Sequence, residues 1–264
     1  MRFERVYLMK TTIQVNPKYE DISSFVYALS EQYDKDGEVI YNGRNQVKRF
    51  FLNEDQPVIV KRYKKPNFIQ RVAYSFFKPN KAERAFEYAI RLKSLGIDTP
   101  LPLACITTWH GALVYQYYFI SSEDNRPSCL DLMDKNLSYR ERLVEALANF
   151  FVKMHQAGFL HGDTNLTNFL YSYSPQNNLF SLATIDLNRS TFVANPSKKE
   201  CLLNFVRLSH NREILQLVVG AYARLRGWDV KESIDFVVEH VGRFERKKAR
   251  SYRLKGRPLE EWMK

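Results

Sequence analysis

The chain has 264 residues, of which 45% are hydrophobic and 14% aromatic, a composition that is typical of a globular protein and that excludes a disordered chain. Its 40 lysines and arginines exceed its 29 acidic residues, and the net charge of +11 indicates an anionic partner: nucleic acid, an anionic membrane surface or a phosphorylated substrate. Three cysteines without a CxxC pair argue against disulfides or a zinc site, and no apolar run is long enough for a secretion signal or a membrane span, so we expect a cytoplasmic protein.

The first part of the chain predicts an antiparallel sheet with accompanying helices. A short strand is expected at 11–15 and a helix at 21–33, where apolar residues recur at helical spacing. Turn residues separate the next three predicted strands, which lie at 38–41, 46–52 and 57–63.

The connection between the first two of these three strands contains a single glycine, Gly43. A loop that covers nucleotide phosphates between two such strands is usually rich in glycine, so this pattern is degenerate here. We expect backbone groups, with Arg44 or Lys48, to cover the phosphates instead.

The next two features are a lysine at the end of an apolar strand and a helix that carries two glutamates. Lys61 ends the apolar strand 58–61 and matches the lysine that binds the α- and β-phosphates of ATP. The helix predicted at 81–95 carries Glu83 and Glu87 one turn apart, and a kinase needs one glutamate there to pair with that lysine. We favour Glu87, with Glu83 as the alternative; a surface ion pair between Glu87 and Arg91 is the non-catalytic explanation.

An insertion at 66–80 lies between Lys61 and the glutamate helix. Its apolar residues have helical spacing, and no acidic residue occurs from Arg62 to Ala82. An apolar stripe bordered by cations is typical of a helix that lies in anionic lipid headgroups, whereas a stripe that packs on the sheet is the alternative. The stripe consists of Phe68, Ile69, Val72, Ala73 and Phe76.

Further along, a hairpin is expected at 103–108 and 112–118, ending in a hinge at 117–122 whose backbone would contact adenine. Ser138 and Glu141 have the spacing of a capping box, which would begin a helix that ends at Gly158. The chain from 199 onward predicts helices at 202–208, 212–226 and 231–242.

The strongest motif lies between these helices, at 161–170 and 185–187. An aspartate, an asparagine five residues later and a second aspartate downstream have the spacing of a kinase catalytic loop and its metal-binding strand. Asp163 is expected to orient the acceptor hydroxyl and accept its proton, while Asn168 and Asp186 hold Mg²⁺ against the phosphates of ATP. His161 is interpreted as a buried side chain that supports the loop through hydrogen bonds. The non-catalytic explanation of the whole motif is a loop of turn-forming Asp and Asn residues. Two short buried strands are predicted to support these ligands, containing Phe169, Leu170, Ala183 and Ile185.

These motifs resemble a known family. The segments that carry the resemblance are Asn42-Gly43-Arg44-Asn45, Val60-Lys61, Ser94-Leu95-Gly96-Ile97-Asp98-Thr99-Pro100, His161-Gly162-Asp163 with Asn168, and Ile185-Asp186-Leu187. On these segments the chain is similar to the lipopolysaccharide kinase (Kdo/WaaP) family, within the protein-kinase-like superfold. The resemblance implies that ATP and Mg²⁺ are used to phosphorylate a sugar hydroxyl, of Kdo or heptose, on a lipid A–core precursor at the cytoplasmic face of the inner membrane. Asn188 stands where we expect a second aspartate in many relatives, which leaves Asp186 as the acidic metal ligand of that segment.

The expected fold is α+β and bilobal: a small antiparallel-sheet lobe with one helix, at 1–121, that binds nucleotide, and a larger, mainly helical catalytic lobe at 122–264. The expected partners are lipopolysaccharide and, peripherally, an anionic membrane; nucleic acid is not expected, and the sequence does not address oligomeric state. Two alternatives stay open. Aminoglycoside and choline kinases share His-Gly-Asp, and the charge would also suit a catalytically inactive kinase-fold binding module.

Overall fold

A computed structural model describes residues 9–53 and 55–263. The chain divides into two compact units, Met1–Asn125 and Arg126–Lys264. The sequence places the boundary between 121 and 122, within a few residues of this division. The turn predicted between the strands at 46–52 and 57–63 includes Glu54, which lies outside the described residues.

The first unit is built on a six-stranded antiparallel sheet with the strand order β1-β5-β6-β4-β3-β2. A capping box begins each of the helices α2 and α3, at Asn67 and Asn80. The elements are β1 (Met9–Val15), α1 (Ser23–Gln32), β2 (Glu38–Asn42), β3 (Gln46–Phe51), β4 (Pro57–Arg62), α2 (Phe68–Phe76), α3 (Lys81–Ser94), β5 (Pro102–His110) and β6 (Leu113–Ser122).

Helices cover both faces of this sheet, which explains why the central strands read as nearly continuous apolar runs. On one face, α1 buries Val26, Leu29 and Tyr33 against the strands. On the other, Tyr74 of α2 and Phe86 of α3 belong to a second core. The predicted helices and strands of this unit are confirmed, and β6 extends through the segment predicted as the hinge.

The second unit combines helices with two short two-stranded antiparallel sheets. One pairs β7 with β10, and the other is a hairpin of β8 and β9. The elements are α4 (Arg140–Gln156), β7 (Phe159–Leu160), β8 (Phe169–Ser174), β9 (Leu179–Thr184), β10 (Thr191–Phe192), α5 (Lys198–Leu203), α6 (Arg212–Leu225) and α7 (Val230–Leu254), with short 3-10 helices at Cys129–Met133, Leu166–Asn168, Leu187–Arg189, Asn204–Arg207 and Glu261–Met263.

Two predictions for this unit are wrong. The capping box at Ser138 does not form, because Tyr139 is the N-cap and makes no side-chain cap bond; its ring stacks on Tyr173 at 5.1 Å, so a tertiary contact fixes the start of α4. The last helix does not end at Gly242 but continues to Leu254, so most of residues 243–257, which contain eight lysines and arginines, are helical.

The three cysteines, Cys105, Cys129 and Cys201, are free and buried. Burial raises the pKa of the Cys105 and Cys129 thiols above their ordinary value. Among the helices in the described part of the chain, none is both long and apolar enough to cross a membrane.

Candidate active site

His161 connects the loop that contains Asp163 to the chain just before Asp186. The backbone N–H of Asp163 donates to His161 Nδ1 at 3.3 Å, so Nε2 carries the ring proton and donates to the carbonyl of Ile185 at 2.9 Å. The ring is fully buried, and burial lowers its pKa. The neutral imidazole is therefore a structural strut, as the sequence predicted.

Gly162 allows this loop to pass close to the segment that follows Asp186. Its φ is +68°, and a Cβ there would lie 2.3 Å from the carbonyl oxygen of Arg189. Because the obstacle is backbone, any side chain at 162 would displace one of the two segments. Glycine is thus required by the geometry of the loop.

The Asp163 carboxylate lies between two guanidinium groups. Its Oδ2 is 3.4 Å from Arg189 Nη1, and its Oδ1 is 3.5 Å from Arg207 Nη1. Burial and the neighbouring Arg189 lower the pKa of Arg207, while Asp163 raises it. The sequence analysis missed Arg207, which lies 44 residues after Asp163 in a segment that showed only helical periodicity.

Asn168 and Asp186 are joined through the backbone next to Asp163. The Asn168 amide nitrogen donates to the carbonyl of Asp163 at 2.8 Å, which leaves the amide oxygen as the group that would coordinate a cation. The backbone carbonyl of Asn168 accepts from the N–H of Ile185 at 2.9 Å, one residue before Asp186. Asp186 has a φ of +57°, a left-handed conformation that is uncommon outside glycine and that often occurs at functional sites.

Asn188 supplies a test of whether these residues suit a metal ion. Its amide nitrogen donates to Asp186 Oδ1, whereas its buried amide oxygen has no hydrogen-bond partner. Buried polar atoms are usually satisfied, and an oxygen beside a carboxylate is a ligand that Mg²⁺ accepts. No group of three or more His, Cys, Asp or Glu in the described ranges could hold a metal by itself. The donor set is thus one carboxylate with amide oxygens, which suits Mg²⁺ that retains phosphate and water ligands.

Asn204 fastens the loop to the helical part of this unit. Its side-chain oxygen accepts from the N–H of His161 at 3.3 Å and from His155 Nε2 at 3.1 Å, and its carbonyl accepts from the Thr164 hydroxyl at 2.7 Å. His155 in turn accepts from the Tyr222 hydroxyl at 2.8 Å. Burial lowers the pKa of His155 to about 4, so this histidine is also neutral at physiological pH.

In the other unit, Lys61 lies on β4, a strand that is hydrogen-bonded to β3 and β6. Its Nζ lies 5.5 Å from the centre of the Tyr63 ring. The residue lies near the end of the strand and is half-buried, while Val58 and Val60 before it are buried. A rigid strand therefore holds the lysine.

The two glutamates of α3 differ in their contacts. Glu83 accepts from the N–H of Asn80 at 2.9 Å and from the Thr107 hydroxyl at 2.9 Å, so both of its oxygens belong to the cap of the helix. Glu87 lies one turn further on and is exposed. Since the cap occupies Glu83, Glu87 is the better candidate for pairing with a cation.

Lys48 is not available to cover a phosphate, contrary to the expectation from the sequence. It is buried, and its Nζ donates to the carbonyl of Tyr33 at 2.6 Å and to that of Asp36 at 2.8 Å. These carbonyls lie at the end of α1, so the ammonium group satisfies acceptors that the helix leaves unpaired.

The chain is similar to known proteins in sequence and in structure. The sequence model of the lipopolysaccharide kinase (Kdo/WaaP) family matches residues 41–225. A structure of WaaP in complex with acyl carrier protein matches with a TM-score of 0.59 at 17% identity, covering 91% of this chain and 99% of that one. A complex of Rio2 kinase with ADP, Mg²⁺ and phosphoaspartate from Chaetomium thermophilum matches with a TM-score of 0.48 at 12% identity, covering 82% of this chain and 69% of that one. No curated protein sequence matches significantly. The predicted protein-kinase-like α+β fold is confirmed.

Proposed function

Because the chain belongs to the lipopolysaccharide kinase (Kdo/WaaP) family, we propose that it transfers the γ-phosphate of ATP to a sugar hydroxyl, of Kdo or heptose, in the inner core of lipopolysaccharide. The reaction would take place at the cytoplasmic face of the inner membrane. Asp163 orients the acceptor hydroxyl and accepts its proton, and Lys61, held by Glu87, binds the α- and β-phosphates. Arg189 and Arg207, which flank Asp163, are placed to stabilise negative charge that develops on the phosphoryl group.

The residues suited to Mg²⁺ are Asn168, Asp186 and Asn188. When bound, the ion neutralises charge on the nucleotide phosphates. The hydrogen bond of His161 and the bond from Asn168 to the Asp163 carbonyl fix the position of Asp163 relative to the residues suited to Mg²⁺. That hydrogen-bonded arrangement is the single observation that carries the proposal, because a binding module has no need to fix a carboxylate base beside an oxygen-rich cation site.

Phosphate analysis of the product tests this function. Purified protein with ATP and Mg²⁺ is offered lipopolysaccharide core that carries Kdo and heptose, an aminoglycoside, and choline. We expect phosphate incorporation into the core alone, and lipid A–core from a deletion strain that is lighter by one phosphate. Transfer only to the small molecules would support the alternative kinase class, and no ATP turnover with any acceptor would support an inactive module.

The location at a membrane is supported by α2, whose two sides differ. One side packs on the sheet: the Tyr74 ring lies 5.8 Å from Tyr117, and Arg71 Nε donates to the Val114 carbonyl at 3.0 Å. The Ser75 hydroxyl accepts from the Val114 N–H at 2.9 Å. The helix is thus fixed to β6 through residues that are three or four positions apart.

The other side of α2 is exposed. Phe68 is 69% exposed, Ile69 77% and Phe76 61%, and Phe77, just after the helix, is 80% exposed. Of the five stripe residues, Phe68, Ile69 and Phe76 are thus exposed, whereas Val72 and Ala73 are half-buried, so the stripe as a whole does not pack on the sheet. Lys64, Lys65 and Lys78 flank the patch. Aromatic side chains bordered by cations match an anionic bilayer, into which the rings can insert while the ammonium groups contact headgroups.

Sedimentation with vesicles tests this docking. Wild type should bind vesicles that contain phosphatidylglycerol and not vesicles of phosphatidylcholine alone, and high salt should weaken binding. The Phe68→Ser, Phe76→Ser variant should bind at least ~10-fold more weakly, because each buried phenylalanine contributes about 1.5–3 kcal/mol. A Tyr27→Ser, Phe51→Ser variant, which removes two other exposed aromatic side chains of this unit, should bind like wild type. Equal binding by both variants would contradict the assignment.

A further inference from the structure

The second half of α7 forms one wall of a cavity that the proposed function does not use. Arginines at positions i, i+4 and i+7 of the helix project from one face. Beyond Leu254 the chain turns back, and the 3-10 helix Glu261–Met263 packs beside α7 with Met263 buried. The cavity between them, which is open to solvent on one side and which we call the α7 pocket, has a volume of about 480 Å³ and is lined by Arg212, Glu245, Arg246, Arg250, Arg253 and Trp262.

Among the lining residues that the structure describes, Glu245 carries the carboxylate, and both of its oxygens are already paired. Glu245 Oε1 lies 2.8 Å from His210 Nδ1, and its Oε2 accepts from Arg212 Nη2. The other terminal nitrogen of Arg212 is buried and has no hydrogen-bond partner. An unsatisfied guanidinium donor next to a cavity marks a place where an acceptor atom of a ligand would be stabilised.

The three arginines of the helix face are not neutralised by the acidic side chains that the structure describes. Two other cations of α7 have partners on the same helix: Arg243 pairs with Glu239 at 2.5 Å, and Lys231 pairs with Asp235 at 2.7 Å. Like charges one turn apart destabilise a helix, so Arg246 and Arg250 together lower the stability of α7. Stability of the fold therefore does not explain why both arginines are present. Guanidinium groups bind phosphate through paired hydrogen bonds, which indicates the class of ligand.

Arg207 links the loop that contains Asp163 to one face of α7. It contacts Asp163, and its guanidinium also lies 4.8 Å from the ring centre of Phe244. Successive residues of a helix are about 100° apart, so Arg246, Arg250 and Arg253 lie on the side of α7 opposite Phe244. A ligand with its hydroxyl at Asp163 and a phosphate in the α7 pocket would have to pass around the helix, whose diameter with side chains is about 10–12 Å, and would be longer than a single sugar ring.

We propose that the α7 pocket binds a phosphate group already present on the acceptor glycolipid, and that this contact selects acceptors which carry that phosphate at a distance from the reacting hydroxyl. The proposal rests on the proposed function for the identity of the acceptor. The contact fixes the acceptor relative to Asp163 through two separated points, which is more selective than recognition of the hydroxyl alone.

Calorimetric titration without ATP tests the proposal. The probes are de-acylated lipopolysaccharide with its phosphates, the same material after phosphatase treatment, and inorganic phosphate. Wild type should bind the phosphorylated oligosaccharide at least ~10-fold more tightly than the treated one, with inorganic phosphate weaker than the phosphorylated form. The Arg246→Gln, Arg250→Gln variant should lose that difference.

The matched control is Arg243→Gln, Lys247→Gln, which removes the same charge at the same spacing outside the α7 pocket. It should retain wild-type binding. The proposal would be overturned if both variants lost the same amount of affinity for the phosphorylated oligosaccharide, or if the pocket variant kept its preference for that form. It would also be overturned if inorganic phosphate bound as tightly as the oligosaccharide. A further titration with acyl carrier protein, the partner in the WaaP structure, would also overturn it if the pocket variant lost affinity for that protein and not for the oligosaccharide. Because no ATP is present, these results are independent of a failure of phosphate transfer, which the product analysis detects separately.

Discussion

Asp163 is fixed at three points that differ in kind: its backbone N–H bonds to a buried histidine, its carbonyl accepts from Asn168, and its carboxylate faces two arginines. The first two contacts involve only backbone atoms of Asp163. A change of the side chain should therefore leave the course of the loop intact, which makes this residue suitable for separating chemistry from structure.

Replacing Asp163 by Asn should lower the rate of transfer by roughly 10²–10⁴, because the proton acceptor is lost while shape is kept. Binding of Mg²⁺·ATP, measured by calorimetry, should change little. Asp186→Asn provides the contrast, since it should weaken Mg²⁺·ATP binding as well. Transfer at the native rate by Asp163→Asn would show that another group accepts the proton.

The buried His155 predicts a pH dependence of stability. Its pKa falls to about 4 in the folded protein from an ordinary value of 6.5, so between these values the unfolded chain binds a proton that the folded chain does not. Stability should therefore decrease as pH falls from 6.5 to 4, by up to about 3 kcal/mol from this residue, and His161 contributes in the same direction. Amide exchange of α4 at pH 7, 6 and 5 measures the effect. His155→Gln should show a smaller dependence on pH, and an unchanged dependence would contradict this origin.

At the scale of elements, apolar periodicity was sufficient to predict most helices and strands, because each presents one face to a core. Contacts between distant segments were not predictable in that way. Tyr139 sets the start of α4 by stacking on Tyr173, and α7 continues past Gly242, where the sequence predicted its end. Asn204, which fastens the catalytic loop, gives no local signal, since an asparagine in a helical segment has many possible partners.

Contacts with other segments also distinguish the two glutamates of α3, which the sequence left as alternatives. Glu83→Gln should lower stability by about 1 kcal/mol, because one oxygen that accepts from Asn80 or Thr107 becomes an NH₂ group, with transfer largely retained. Glu87→Gln should impair transfer and leave thermal stability nearly unchanged. The opposite order of the two activities would assign the pairing with Lys61 to Glu83.

For the whole molecule, the excess of positive charge is concentrated in two segments. Residues 62–81 contain six lysines and arginines without an acid, and residues 243–257 contain eight with one acid. Together these segments exceed the net charge of +11, so the remainder of the chain is close to neutral. The charge is thus a property of particular surfaces, one in each compact unit, and not a general property of the fold.

Salt should therefore affect the reaction through those surfaces. Raising the salt concentration from 0.1 M to 1 M shortens the Debye length from about 10 Å to about 3 Å, and transfer to an acceptor embedded in anionic vesicles should fall several-fold. Transfer to a de-acylated, dephosphorylated acceptor should change much less, because that acceptor lacks both the lipid surface and the phosphate. An equal dependence for the two acceptors would mean that salt acts on the catalytic step itself.

The close crossing at Gly162 has a consequence for regulation. Protein kinases carry an arginine immediately before the catalytic aspartate, within the motif H-R-D. Here the carbonyl of Arg189 occupies the space that even a Cβ would need, so this backbone cannot accept an arginine at position 162. The chain therefore cannot use a switch in which a phosphorylated loop pairs with that arginine.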